Sequence, residues 1–83
     1  MAELSARFVR QAGEYREELL RADSAGDRTV MRDQAHKLAG IAPMLGHPDI
    51  GCAALELEEA VEMQNDYRAA LARLERLLAA ITA

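Results

Sequence analysis

The sequence predicts an all-α protein, an antiparallel up-down-up-down four-helix bundle, on three observations. Apolar residues recur every three or four positions in four segments, no run alternates apolar with polar residues as a half-buried strand does, and the links between segments are short. Composition agrees: apolar residues make up 51% of the chain and aromatics only 4%, with five Gly and two Pro, so Ala and Leu fill the interior. A chain of 83 residues suffices for one small domain, and the whole span 1–83 reads as one.

The first helix runs from about Ala2 to Ala25. Leu4, Phe8, Ala12, Tyr15 and Leu19 fall along one stripe, and Gly13 weakens its middle. Ser24-Ala25-Gly26-Asp27 then supplies a helix-ending glycine and an aspartate whose carboxylate can accept the free amides of the second helix. There Met31, Ala35, Leu38, Ala42 and Leu45 repeat at the spacing of a bundle seam. Pro43 removes an amide that would bond the Ala39 carbonyl and disfavours helical geometry at Ala42, so a kink is expected. Gly46-His47-Pro48-Asp49 closes this segment and opens the third helix, which buries Ile50, Ala54, Leu57 and Val61. Asn65 or Asp66 caps the fourth, whose stripe is Tyr67, Leu71, Leu74, Leu78 and Ile81. Four such stripes are covered together only when they meet in one core. The bundle predicts a monomer, and the small core leaves a homodimer open.

Charge and motifs exclude several classes of function. A net charge of −4 argues against nucleic acid as a partner. No stretch approaches the roughly 18 apolar residues of a membrane span, and the opening residues carry charges where a signal peptide needs an apolar run. With a lone Cys52 unable to form an internal disulfide or a zinc pair, the expected location is the cytoplasm. The glycine-rich phosphate cradle of an ATP-dependent kinase is absent, so any chemistry needs a partner. Residues 45–83 hold seven acids against three bases, which puts the whole net charge in that half.

One histidine stands apart. With 100° per residue, the second-helix stripe centres about 140° from His36, which therefore faces outward. Asp33 and Gly40 lie about one turn before and after it, and Thr29 and Met44 extend the same surface. An exposed mid-helix glycine costs about 1 kcal/mol relative to alanine, and the physical return is close approach by another molecule. Imidazoles titrate near about pH 6.5, so at neutral pH a histidine keeps a nitrogen lone pair able to attack phosphorus or take a proton. Lys37 and Arg32 are the nearby cations for a phosphate on the ring, and the Asp33 carboxylate opposes them. The remaining candidates read as structural: His47 as a capping or solvated turn residue, Cys52 as a packed or half-exposed thiol, Met31 and Met63 as core fillers, and Glu56, Glu58, Glu59 and Glu62 as a solvated face.

The run Ala35-His36-Lys37-Leu38-Ala39-Gly40, followed by Leu45-Gly46, Ile50 and Leu57-Glu58, resembles the histidine-containing phosphotransfer (HPt) domains of multistep bacterial phosphorelays. The resemblance implies that His36 accepts a phosphoryl group from the phospho-aspartate of a response-regulator receiver domain and passes it to another receiver. It implies no cofactor and no metal of the chain's own, Mg²⁺ and a lysine being brought by the receiver, and it admits a hybrid sensor histidine kinase as a further partner. Many family members carry a lysine three residues after the histidine, where this chain has Ala39, so the phosphate's cation falls to Lys37 or Arg32. A small polar residue is common where Ile41 stands, and something small where Pro43 stands. Thr29, Arg32, Asp33, Gly40, Pro43 and Met44 form the expected docking surface. The rival reading is a non-catalytic adaptor or dimerisation module that binds a receiver or kinase without transfer. A kinase dimerisation domain fits less well, because there an acid follows the histidine and here Lys37 does.

Overall fold

A computed structural model describes residues 2–82, with side chains described for residues 6–82. Four helices form: α1 over Ala2–Ala25, α2 over Arg28–Ile41, α3 over Pro48–Glu62 and α4 over Arg68–Thr82, with a 3-10 turn at Pro43–Leu45 between α2 and α3. The helix ends follow local chemistry. Gly26 takes a left-handed φ of 67° after α1, and the Asp27 carboxylate accepts the Val30 amide at 3.1 Å to start α2. Pro48 occupies the first turn of α3 with Asp49 beside it. Neither candidate for the fourth cap stands at the cap position, which is Tyr67, but the Asp66 carboxylate one residue earlier bonds the Arg68 guanidinium and accepts the Arg68 amide at 3.0 Å, which holds its pKa down at about 2.

Each helix packs on its neighbours in sequence and α1 closes the ring on α4. Cross-contacts fix the directions. Phe8 near the start of α1 stacks on His47 beyond the end of α2, with ring centroids 5.2 Å apart. Arg28 at the start of α2 donates to the carbonyls of Val61 and Asn65 at the end of α3. Tyr67 at the start of α4 donates its hydroxyl to Asp23 at the end of α1, 2.8 Å away. Consecutive helices therefore run antiparallel, as the spacing predicts. The stripes meet inside: Phe8, Leu19, Met31, Leu38, Ile50, Leu57, Leu74 and Leu78 are fully buried, and Tyr15, Leu45, Tyr67 and Ile81 pack partly buried around them. The expected place of Leu4 in the first stripe lies outside the described side chains.

Four further expectations are corrected. Pro43 does not kink a helix reaching Leu45. It ends α2, and Leu45 sits in the 3-10 turn, which Gly46 leaves at φ 88°. Met63 is not a core filler but 71% exposed, because it falls at the end of α3 where the chain leaves the bundle. His47 neither caps α3 through its side chain nor is simply solvated, since its ring rests half-buried on Phe8. The Cys52 thiol belongs to an exposed rather than a packed residue.

The 3-10 turn and α3 approach closely at Pro43 and Gly51. A Cβ on Gly51 would lie 2.4 Å from Pro43 Cγ and 2.8 Å from Cδ, so only glycine fits beneath the proline ring. Gly51→Ala is expected to force the two segments apart and to destabilise the fold by about 1–3 kcal/mol, read as a lower urea midpoint at unchanged slope. An unshifted midpoint would show that the proline moves aside freely.

Candidate functional site

Helical periodicity fixes where His36 points. Met31, Ala35 and Leu38 turn the inner face of α2 into the core, which leaves His36 on the outer face with its side chain 75% exposed. Asp33 and Gly40 share that exposed surface, and a Cβ on Gly40 would meet nothing within 4 Å. Thr29 and Arg32 are exposed at the upstream end and Met44, at 82% exposure, at the downstream end. Pro43 is exposed as a residue while its ring edge packs on Gly51.

The partner of His36 comes from α3. Nδ1 of the ring lies 2.7 Å from Oε2 of Glu58, whose side chain is only 13% exposed. An ionised carboxylate can only accept, so the hydrogen of this bond sits on Nδ1 and the lone pair of the neutral ring is on Nε2. Glu58 thus sets the ring's tautomer and orientation and turns Nε2 outward. Treating the α3 acids as a uniformly solvated face misses this residue. A signal was present in the Leu57-Glu58 pair, but the register that brings it opposite His36 is a tertiary property. From the Pro43/Gly51 contact, seven residues back through the end of α2 reach His36 and seven forward along α3 reach Glu58. Each is about two helical turns, some 10.5 Å.

A shallow groove between α2 and α3 surrounds the ring, lined by Arg32, Asp33, His36, Glu58 and Glu62. Arg32 bonds Asp33 through a long 3.4 Å contact between half-exposed side chains. Lys37 lies elsewhere. It lines the groove on the other flank of α2, with Gln11, Glu14, Tyr15, Glu18 and Gln34. Thr29 sits with Arg28, Arg32 and Glu62 in a third depression at the start of α2. Among the described residues, no group of three or more His, Cys, Asp or Glu side chains is arranged to hold a metal ion, and no helix is long and apolar enough to cross a membrane.

Glu58→Ala is expected to remove the acceptor that keeps the hydrogen on Nδ1 of His36, while Glu58→Gln, which keeps an acceptor oxygen, retains much of that preference. Imidazole ¹⁵N shifts check this. The Nδ1–H tautomer should dominate in the wild type and lose ground in Glu58→Ala; an unchanged tautomer balance would contradict the orienting role.

The described residues thus form a helical bundle that displays one surface imidazole, oriented by a carboxylate and flanked by bare backbone. The chain belongs to the Hpt domain family, whose model matches residues 3–83, essentially the whole chain. Hpt domains carry out histidine phosphotransfer in phosphorelays and interact with receiver domains and kinases. Searches of curated proteins and of solved structures gave no significant match.

Proposed function

We propose that this protein is a phosphocarrier in which Nε2 of His36 takes a phosphoryl group from the phospho-aspartate of a receiver domain and hands it to a second receiver. The observation that carries the reading is the Nδ1–Glu58 hydrogen bond beneath a 75% exposed ring, because it presents one nitrogen lone pair to an incoming partner. In the forward step the Nε2 lone pair attacks phosphorus. The N–P bond forms as the P–O bond to the aspartate breaks, and the electron pair leaves on the receiver's carboxylate. The phosphorylated ring keeps the Nδ1 hydrogen and its positive charge faces the Glu58 carboxylate. That same charge makes the ring a good leaving group, which suits a carrier that must also donate. Gly40, Asp33, Thr29, Pro43 and Met44 supply the docking surface, and the chain's own contribution is position: a nucleophile held on a rigid helix where a partner can align it in line. The receiver brings its own metal ion and lysine.

The test is incubation with a receiver charged by a small-molecule phosphodonor. Receiver dephosphorylation should accelerate, and acid-labile, base-stable label should appear on this protein and then pass to a second, uncharged receiver. A receiver that binds while no label moves at any concentration would replace the carrier with the adaptor reading.

A further inference from the structure

We propose that Arg32 is the cation that holds the phosphoryl group once it is on His36, and that Asp33 keeps its guanidinium parked in the unphosphorylated protein; this deepens the phosphocarrier reading and rests on it. Among the described residues, the groove around the ring is lined by one basic side chain, Arg32, against the carboxylates of Asp33, Glu58 and Glu62. The phosphoryl oxygens bring about −1.5 to −2 of charge into that space near neutral pH, only partly offset by the positive charge the ring gains. Uncompensated, those charges would make the phosphorylated state unfavourable. The position that often carries a lysine in the family is Ala39, and Lys37 lines the opposite flank of α2 among Glu14 and Glu18.

Arg32 meets the need geometrically. It lies four residues before His36, where side chains on one helix are neighbours with Cβ atoms about 5–6 Å apart. Its tether, Arg32 Nη2 to Asp33 Oδ1, is a single 3.4 Å contact with the side chains 47% and 54% exposed, a geometry that holds a guanidinium weakly. A phosphoryl group offers the same planar fork two oxygens at once. When the N–P bond forms, the guanidinium leaves one carboxylate oxygen of Asp33 for two phosphoryl oxygens; no proton or electron pair moves in the exchange. Asp33 therefore competes with the phosphoryl group for Arg32. This assigns distinct roles to two neighbouring exposed residues of opposite charge.

Phosphoramidate tests this without any receiver, since it phosphorylates histidine directly with release of ammonia. The readout is the ³¹P shift of phosphohistidine titrated between its monoanion and dianion. A cation in contact favours the dianion, so the midpoint in Arg32→Ala should lie above the wild-type value by about one pH unit. Arg32→Lys should fall between, and Asp33→Asn should lie below wild type, because a competitor and a like charge are both removed. The same midpoint in Arg32→Ala and wild type, or a rise in Lys37→Ala with none in Arg32→Ala, would overturn the assignment while leaving the phosphocarrier reading intact. Failure of the wild type to take a phosphoryl group on His36 would remove both.

Discussion

His36→Gln is expected to abolish phosphoryl acceptance, by at least about 10³-fold, while the bundle stays folded. Gln serves better than Ala because its amide can still donate to Glu58. A half-buried carboxylate keeps a partner, and the loss can be assigned to the missing nucleophile rather than to a stranded charge. The ring makes no contribution to the core, whose large buried side chains on α2 are Met31 and Leu38, so the thermal midpoint should move little. His47 cannot stand in. Its ring is stacked on Phe8 and half-buried, and it lies beyond the end of α2. Label transfer from a charged receiver, paired with a circular-dichroism melt, checks both halves. Label surviving in His36→Gln at near the wild-type rate would place the chemistry on another residue.

The reason that His36 could be placed from sequence and Glu58 could not is a difference of scale. A helix is a local object. Met31, Ala35, Leu38 and Ala42 are enough to say which side of α2 is wet, and the caps at Gly26, Asp27 and Pro48 follow from residue chemistry within a few positions. Which residue of α3 faces His36 depends instead on how far the chain travels before turning back. Here that distance is set by a 3-10 turn and by a proline ring seated on Gly51. Neither is written in a periodicity. The same limit explains the two cations. Spacing puts Arg32 and Lys37 on either side of the outer ridge, but only the packed neighbours show that one opens toward α3 with His36 and the other toward α1. Met63 differs: its residue type suggests a core filler, but it stands two residues past Val61, off the α3 stripe, where the helix ends and the chain turns away from the core. The family resemblance carried the histidine, the glycine four residues on and the Leu57-Glu58 pair, and left Lys37 and Arg32 as alternatives for the cation that Ala39 does not supply.

Gly40→Leu should separate stability from transfer, moving them in opposite directions. Within the folded chain a Cβ at this position meets nothing within 4 Å, and an exposed glycine in a helix costs about 1 kcal/mol relative to alanine. The substitution should therefore raise the unfolding free energy by roughly 0.5–1 kcal/mol. In the proposed encounter the same bare backbone is the floor on which a receiver rests, one turn from the reacting nitrogen. A branched side chain there holds the partner off. In-line attack needs the reacting atoms within about 3–3.5 Å, and a misplacement of about 1 Å already costs on the order of 10²-fold, so transfer from a receiver should fall by that factor or more. Phosphoramidate is small enough to pass the leucine, and its reaction with His36 should continue near the wild-type rate. A slower reaction with both donors would mean that the leucine disturbs the imidazole itself. An undiminished rate with the receiver would mean that partners approach His36 from the Arg32 side, and that the glycine is there for some reason other than access.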